Sequence, residues 1–359
     1  MEVEMFDRRA LVVGATGIVG ANLVRELLAQ GDWYVYGVSR KPVRGESRVT
    51  PVCVDVLDAT AVRDTLKDLE PTHVFFCTWT RMKTEEENCR VNSAMVRNVL
   101  DGLADSGSLR HVALVTGTKH YLGPFESYAK NSPQTPFRED QPRLPIANFY
   151  YAQEDVVLEF AAQHDTSWSV HRPHTIVGHA VGNAMNIGVT LATYASVCRA
   201  QSRPFIFPGS TGAWRGLNDV TDARLLAKHL TWAATHPSAR NEAFNVANGD
   251  VFRWSRLWDA VGAYFDLEAQ PCPEAPLGLT QQMADMEPLW DELVRREGLQ
   301  PNRLFHLASP WHTDLDLGRP MECLNDTNKS RRLGFLEWQD TERSFIDLFD
   351  QLRRERIIP

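Results

Sequence analysis

Apolar positions in the first half of the chain alternate between two patterns. Short, near-continuous apolar runs at 10–13, 34–38, 52–56, 73–78, 111–116 and 167–171 read as strands. Between them, 21–30, 59–69, 88–103 and 150–163 carry apolar residues at helical spacing. Strands that are apolar throughout are buried on both faces, as in a parallel sheet. Their alternation with helices predicts right-handed crossovers and a doubly wound α/β sheet. After about residue 180 the rhythm loosens. Helices are predicted over 185–199, 219–236, 255–265 and 278–297, a short strand at 205–209, a late strand rejoining the sheet at 242–247, and a loop at 270–276. The expected organisation is a sheet domain of residues 1–180 plus about 218–252, interleaved with a smaller, mostly helical domain at about 181–217 and 253–359.

The chain has 359 residues, a length that suits about two domains. Its formal net charge of -8 argues against a nucleic-acid groove or an anionic membrane surface as the main partner. Residues 1–9 carry three acids and no apolar segment, so no signal peptide is expected, and no run is long enough to span a bilayer. The six cysteines form no C-x-x-C pair and read as reduced thiols of a cytoplasmic protein.

Gly14-Ala-Thr16-Gly17-Ile18-Val-Gly20 directly follows the first predicted strand and opens a helix. Glycines there allow a tight turn and close backbone approach to a diphosphate, held at the positive end of the helix. Strand, loop and helix arrive in the order that dinucleotide binding requires, which makes the first domain Rossmann-type. The Gly-x-x-Gly-x-x-Gly spacing resembles the short-chain dehydrogenase/reductase superfamily. At the end of the second strand an acid would bond the ribose hydroxyls of NAD. This chain instead reads Ser39-Arg40-Lys41, with Arg44 close behind. Two cations match a 2′-phosphate, so NADP(H) is the expected cofactor. Asp55 and Val56, ending the third predicted strand, are expected at the adenine, with Asp58 as the alternative. Thr78 and Trp79 end the fourth and should lie over the cofactor. Val115, Tyr150 and Ile176 complete the expected contacts, because open α/β sheets bind ligands beyond the carboxyl ends of their strands.

The usual Tyr-x-x-x-Lys pair of such enzymes is missing: none of the eight tyrosines has lysine four positions on. The expected place reads Asn148-Phe-Tyr150-Tyr151-Ala-Gln-Glu154-Asp155, acidic where the lysine should be. A cation is offered instead at the end of the fifth strand, in Val115-Thr-Gly-Thr-Lys119-His-Tyr-Leu-Gly-Pro-Phe125-Glu-Ser-Tyr128.

This segment and Asn-Phe-Tyr-Tyr resemble the progesterone 5β-reductase/iridoid synthase family of atypical short-chain reductases. So do Thr72-His-Val-Phe-Phe-Cys-Thr-Trp79, Ser169-Val-His-Arg-Pro173, the stretch from Asn241 to Phe252, Asn328-Lys-Ser330 with Gly334-Phe-Leu336, and the final Ile-Ile-Pro. The resemblance implies NADPH-dependent reduction of the activated C=C bond of an enone or enal. Hydride reaches the β-carbon while Tyr150 donates a hydrogen bond to the developing enolate, and Lys119 positions and polarises the phenol and keeps the local field positive. If the gap after Lys130 is placed differently, Tyr151 takes the role. Trp79, Phe125 and Met185 are the expected apolar walls of the substrate pocket. Two departures stand out: His174-Thr175 follows Arg172-Pro173 where plant members carry Gly-Asn, and Lys41 stands in place of an arginine. His171, His174 and His179 fit no metal-ligand spacing and are expected as core or loop residues, with no metal site. The expected partner is a small apolar enone or enal, with no nucleic acid and no membrane, and a homodimer is left open. A carbonyl reductase or epimerase of the extended type, and a non-catalytic NADP-sensing protein, remain the rival readings.

Overall fold

The computed structural model describes residues 6–41, 48–124, 127, 133–183 and 185–359. Its strands, in chain order, are β1 (Arg8–Val13), β2 (Trp33–Ser39), β3 (Val49–Cys53), β4 (His73–Phe76), β5 (His111–Val115), β6 (Ser167–Pro173), β7 (Ile176–Val177), β8 (Phe205–Ile206), β9 (Thr221–Asp222), β10 (Glu242–Val246) and β11 (Ala269–Gln270). Seven of them form one parallel sheet in the order β10-β6-β5-β4-β1-β2-β3. The order reverses direction between β1 and β4, where Val13 pairs with both Val38 and Phe76. A doubly wound sheet opens its ligand crevice at that switch point, on the carboxyl edge.

Five helices accompany the first six strands: α1 (Ile18–Gln30), α2 (Ala59–Leu66), α3 (Glu85–Asp101), α4 (Lys119–Leu122) and α5 (Phe149–His164). Then follow α6 (Ile187–Ala200), α7 (Thr211–Arg215), α8 (Ala223–Thr235), α9 (Trp254–Tyr264), α10 (Leu279–Gln282), α11 (Glu287–Glu297), α12 (Leu304–Leu307), α13 (Pro310–Leu317), α14 (Asn328–Arg332) and α15 (Thr341–Arg354). Apolar stripes of α2, α3 and α5 cover one face of the sheet, through Val62, Leu66, Val96, Val99, Val157 and Phe160. Leu23, Leu27, Leu226 and Leu230 of α1 and α8 cover the other. The third core is centred on α6, which is buried almost all round and packs against Trp254, Trp258, Trp290, Phe345 and Phe349. A helix apolar on every side must be enclosed by others. Among the described residues no helix is long and apolar enough to cross a membrane.

Of the boundaries that differ from the sequence reading, four have a clear local reason. The third strand is Val49–Cys53 rather than 52–56. Pro51 lies inside it, and β3 is the edge strand, where a missing N–H is tolerated. Helix α3 starts at Glu85, three residues early, because the Thr84 side chain accepts from Glu87 N. The helix expected from 219 starts only at Ala223: Thr221 and Asp222 pair with β7, and Asp222 then caps α8. The helix expected over 278–297 is two, α10 and α11, and Pro288 sits in the first turn of the second.

Candidate functional site

β1 ends at Val13, and the chain turns at once into α1. Gly14 takes φ +87°, and its amide and that of Ala15 both donate to Val38 O, at 2.9 and 3.1 Å. A Cβ on Gly14 would stand 2.7 Å from Thr78 Cβ, and one on Gly20 would stand 2.2 Å from Gly14 O. Gly17 caps α1 in extended backbone without a side-chain hydrogen bond, and the first helical turn carries no acid. The positive end of α1 is therefore uncompensated, Thr16 is exposed beside it, and Ile18 is buried as the first helical residue. These residues fit a dinucleotide's diphosphate: the cradle is kept free of side chains, and its helix end favours an anion. Gly14→Ala must both adopt a left-handed backbone and displace Thr78. It is expected to lower stability by about 1–3 kcal/mol and to weaken NADPH binding, read by thermal unfolding and fluorescence titration. Wild-type affinity and Tm in that variant would contradict the cradle assignment.

The remaining expected cofactor contacts gather along the same edge. Arg40 and Lys41 are exposed just past β2, and the Ser39 hydroxyl donates to Lys41 O; Arg44 lies outside the described residues. Asp55 and Val56 do not end a strand but follow β3 by two and three residues. Asp55 is exposed and its Oδ1 accepts from Leu57 N at 3.0 Å, while Val56 is buried and its carbonyl accepts from Asn98 Nδ2 at 2.9 Å. Asp58, the alternative, caps α2 by accepting from Ala61 N at 2.9 Å. Thr78 and Trp79 likewise lie beyond β4, which ends at Phe76, rather than at its last residues. Val115 and Ile176 pack on the apolar cluster that holds Ala15 and Ile18.

Lys119 opens α4 and is buried, at 2% exposure. Its Nζ lies 2.6 Å from Glu85 Oε1 and 4.2 Å from the centre of the Phe149 ring. Its carbonyl accepts from Asn148 Nδ2 at 3.0 Å, and Asn148 in turn caps α5 through the amide of Tyr150, at 3.1 Å. Lysine and tyrosine are thus tied together through the start of α5. The positive field expected from Lys119 is not left open, because Glu85 answers it.

Successive residues of a helix point about 100° apart, so only one of the tyrosine pair can face the cleft. The Tyr151 hydroxyl donates to His120 O at 2.6 Å and accepts from Leu144 N at 3.0 Å, which locks it under α4. The Tyr150 hydroxyl makes no hydrogen bond among the described residues. It lies at the carboxyl ends of β5 and β6, where a Cβ on Gly117 would stand 3.2 Å from it and 3.3 Å from Pro173 O. Burial pushes the phenol's pKa up, and the Glu85 and Asp316 carboxylates add to the rise, so Tyr150 is held protonated as a donor. Trp79 stacks on Phe149, ring centres 4.9 Å apart. Trp79 and Met185 both pack on one apolar cluster with Tyr121, Leu122, Phe137, Leu315 and Met321. Phe125 lies outside the described residues. A surface cavity of about 520 Å³ lined by Pro301, Asn302, Arg303, Phe305 and His306 includes none of these side chains.

Two site residues, Glu85 and Gly117, escaped the sequence reading. Glu85 stands 34 positions before Lys119 in a run of three glutamates that signals only a helix start. Gly117 carried no turn signal. Glu154, the acid in the lysine's usual place, is buried and faces Arg143 Nη2 at 2.9 Å and Arg172 Nη2 at 3.6 Å, so it braces the back of α5. His174 is buried between the end of β6 and the segment after α13: its Nδ1 donates to Asp219 Oδ1 at 2.7 Å, and Arg319 Nη1 lies 2.6 Å from its Nε2. Arg319 also binds Asp316, whose other oxygen accepts from Thr175 Oγ1 at 3.1 Å. The unusual His174-Thr175 pair thereby fastens α13 to the end of β6. His171 bonds Ser169 and His229, and His179 bonds Glu355.

Comparison with known proteins gives the family and the fold. A (S)-8-oxocitronellyl enol synthase of Nepeta racemosa is 41% identical over 367 residues, 99% of this chain and 94% of its own. A 3-oxo-Delta(4,5)-steroid 5-beta-reductase of Arabidopsis thaliana is 41% identical over 369 residues, with the same coverage. The UDP-glucose 4-epimerase of Thermotoga maritima superposes with a TM-score of 0.66 over 96% of this chain and 99% of its own, at 13% identity, a likeness of fold alone. A sequence profile of the PRISE-like Rossmann-fold domain matches residues 50–359. With near-full-length relatives on one side and the Lys119 and Tyr150 segments on the other, the chain belongs to the PRISE-like Rossmann-fold family.

Proposed function

We propose that this chain is an NADPH-dependent reductase of activated C=C bonds in small apolar enones or enals. The observation that carries the reading is the Tyr150 hydroxyl: protonated, without a hydrogen bond among the described residues, and beside Gly117 at the carboxyl edge of the sheet. Held at the Gly14–Gly20 cradle, NADPH would supply hydride for the β-carbon. Tyr150 donates its hydrogen bond to the carbonyl oxygen as that oxygen takes on enolate charge. Lys119 acts through its carbonyl, which holds the cap of α5, and through its packing on Phe149. Trp79 and Met185 supply apolar surface for the substrate. The names of the reductase and enol synthase relatives support the reaction class. An epimerase chemistry is disfavoured by Glu154, which is turned toward arginines instead of presenting a cation to the phenol.

The test follows NADPH absorbance with cyclic and acyclic enones. Turnover of at least one enone is expected; NADPH binding without oxidation across the panel would favour the cofactor-sensing reading instead. In the same assay, Arg40→Glu with Lys41→Glu removes two phosphate contacts worth about 1.5–3 kcal/mol each. The double variant is expected to lose NADPH preference by at least tenfold in KM while NADH use is kept. An unchanged NADPH-to-NADH ratio would reassign this corner as ordinary surface.

A further inference from the structure

Glu85 belongs to no motif of the cofactor cradle, yet three elements meet on its carboxylate. Oε1 accepts from Lys119 Nζ at 2.6 Å and from Phe149 N at 2.8 Å, and Oε2 accepts from Asn88 Nδ2 at 3.1 Å. The first bond reaches α4, the second the residue immediately before Tyr150, and the third α3 itself. The side chain is 15% exposed, so this carboxylate is held largely out of water, where its charge acts strongly on its neighbours. Burying a carboxylate is costly unless it is paired and hydrogen-bonded, and here both conditions are met. The Phe149 amide is one of the orphan donors of the α5 N-terminus. Glu85 satisfies it from outside the helix while Asn148 satisfies its neighbour, which fixes the rotation of α5 and hence which tyrosine faces the cleft.

We propose that Glu85 is a positioning residue for the reaction: one carboxylate oxygen holds both the Phe149 amide, next to Tyr150, and the Lys119 ammonium, and so sets where the Tyr150 phenol stands. This rests on Tyr150 being the oxyanion donor. The charged groups acting on the phenol are Glu85 from α3 and Asp316 from α13, and Lys119 from α4 pairs with Glu85; Cys89 lies beside Glu85 and Lys119, and burial and Glu85 raise its thiol, so it adds no charge. With the Glu85 charge removed, one of the two carboxylates that raise the phenol is gone.

The test compares Glu85→Gln, Glu85→Asp and Tyr150→Phe by two readouts: the pH profile of kcat/KM on an enone, and phenolate absorbance of the protein without substrate, with Tyr150→Phe subtracted. Glu85→Gln keeps an acceptor for Phe149 N but no charge. Its alkaline limb and the Tyr150 titration are expected to move down by about one to three pH units. Glu85→Asp keeps the charge but its arm is shorter by one methylene. It is expected to retain the wild-type limb while kcat drops, up to about a hundredfold for a misplacement near 1 Å. If Tyr150→Phe is inactive yet Glu85→Gln leaves both the limb and the titration in place, the assignment of Glu85 is overturned and the reductase reading stands. If Tyr150→Phe retains full activity, the reading beneath it fails first.

Discussion

Tyr150→Phe is expected to lower kcat/KM for an enone by about 10²- to 10³-fold, the equivalent of about 2.7–4 kcal/mol for one oxyanion donor. NADPH affinity should change little, because the phenol's contribution lies in the transition state rather than in cofactor binding. Tyr151→Phe should behave in the opposite way. Its hydroxyl links His120 O to Leu144 N within the protein, so removing it leaves two backbone groups without their partner. The expected cost is about 1–3 kcal/mol of stability, seen as a lower Tm, with kcat close to wild type. The pair of variants therefore separates chemistry from scaffold on adjacent residues. Loss of turnover in Tyr151→Phe with activity kept in Tyr150→Phe would move the donor by one residue and overturn the helix phase argued above.

Acid should unfold this protein through its interior histidines. Ser167 donates to Arg110 O at 2.8 Å, so its oxygen must accept from His111 Nδ1, at 2.9 Å. Neutral His111 then accepts at Nε2 from Ser169, Ser169 accepts from His171 Nε2, and His171 Nδ1 accepts from His229 Nδ1 at 3.0 Å. His229 Nε2 finally accepts from Ser330, at 2.9 Å. Each imidazole in this run across β5, β6, α8 and α14 gives one bond and takes one, which only the neutral ring can do. Burial holds His229 at about 3, well below its ordinary 6.5. His73 is also lowered to about 3, by burial and the nearby Arg110. Burial lowers His111 and His171 as well. A folded pKa below the unfolded one means that the unfolded chain binds more protons under pH 6.5, so stability is full above that value and falls as pH drops toward 3. Between pH 7 and pH 5 each such histidine costs about 2 kcal/mol, so four together rival a typical domain's whole stability. The urea midpoint is expected to fall steeply over this window, with a shallower slope in His229→Gln. A midpoint that does not change from pH 7 to pH 5 would show that these rings are solvated or charged in the native state.

The histidines show what a linear reading can and cannot reach. For His171 the sequence reached only a core or loop position. That His111, His171 and His229 form one directional chain depends on two strands pairing and a helix from position 229 laying its side chain on them. The same holds for Glu154: its misfit with the lysine motif was legible, but its two arginine partners were not.

The parallel sheet, its crossovers and the glycine cradle follow from local chemistry. Runs of apolar β-formers, helical periodicity and a turn that tolerates no Cβ act over a few residues each, so the chain order alone carries them. Lys119 and the tyrosine pair could be named for the same reason, as could Arg40 and Lys41. The choice between Tyr150 and Tyr151 could not, since it depends on the rotation of α5, which Asn148 and Glu85 set from two different segments. Nor could the charge state around the phenol, which arises where burial and carboxylates from positions 85 and 316 act on one hydroxyl. Electrostatics at a buried site is a property of distance in three dimensions, and folding alone brings those charges within reach of one another.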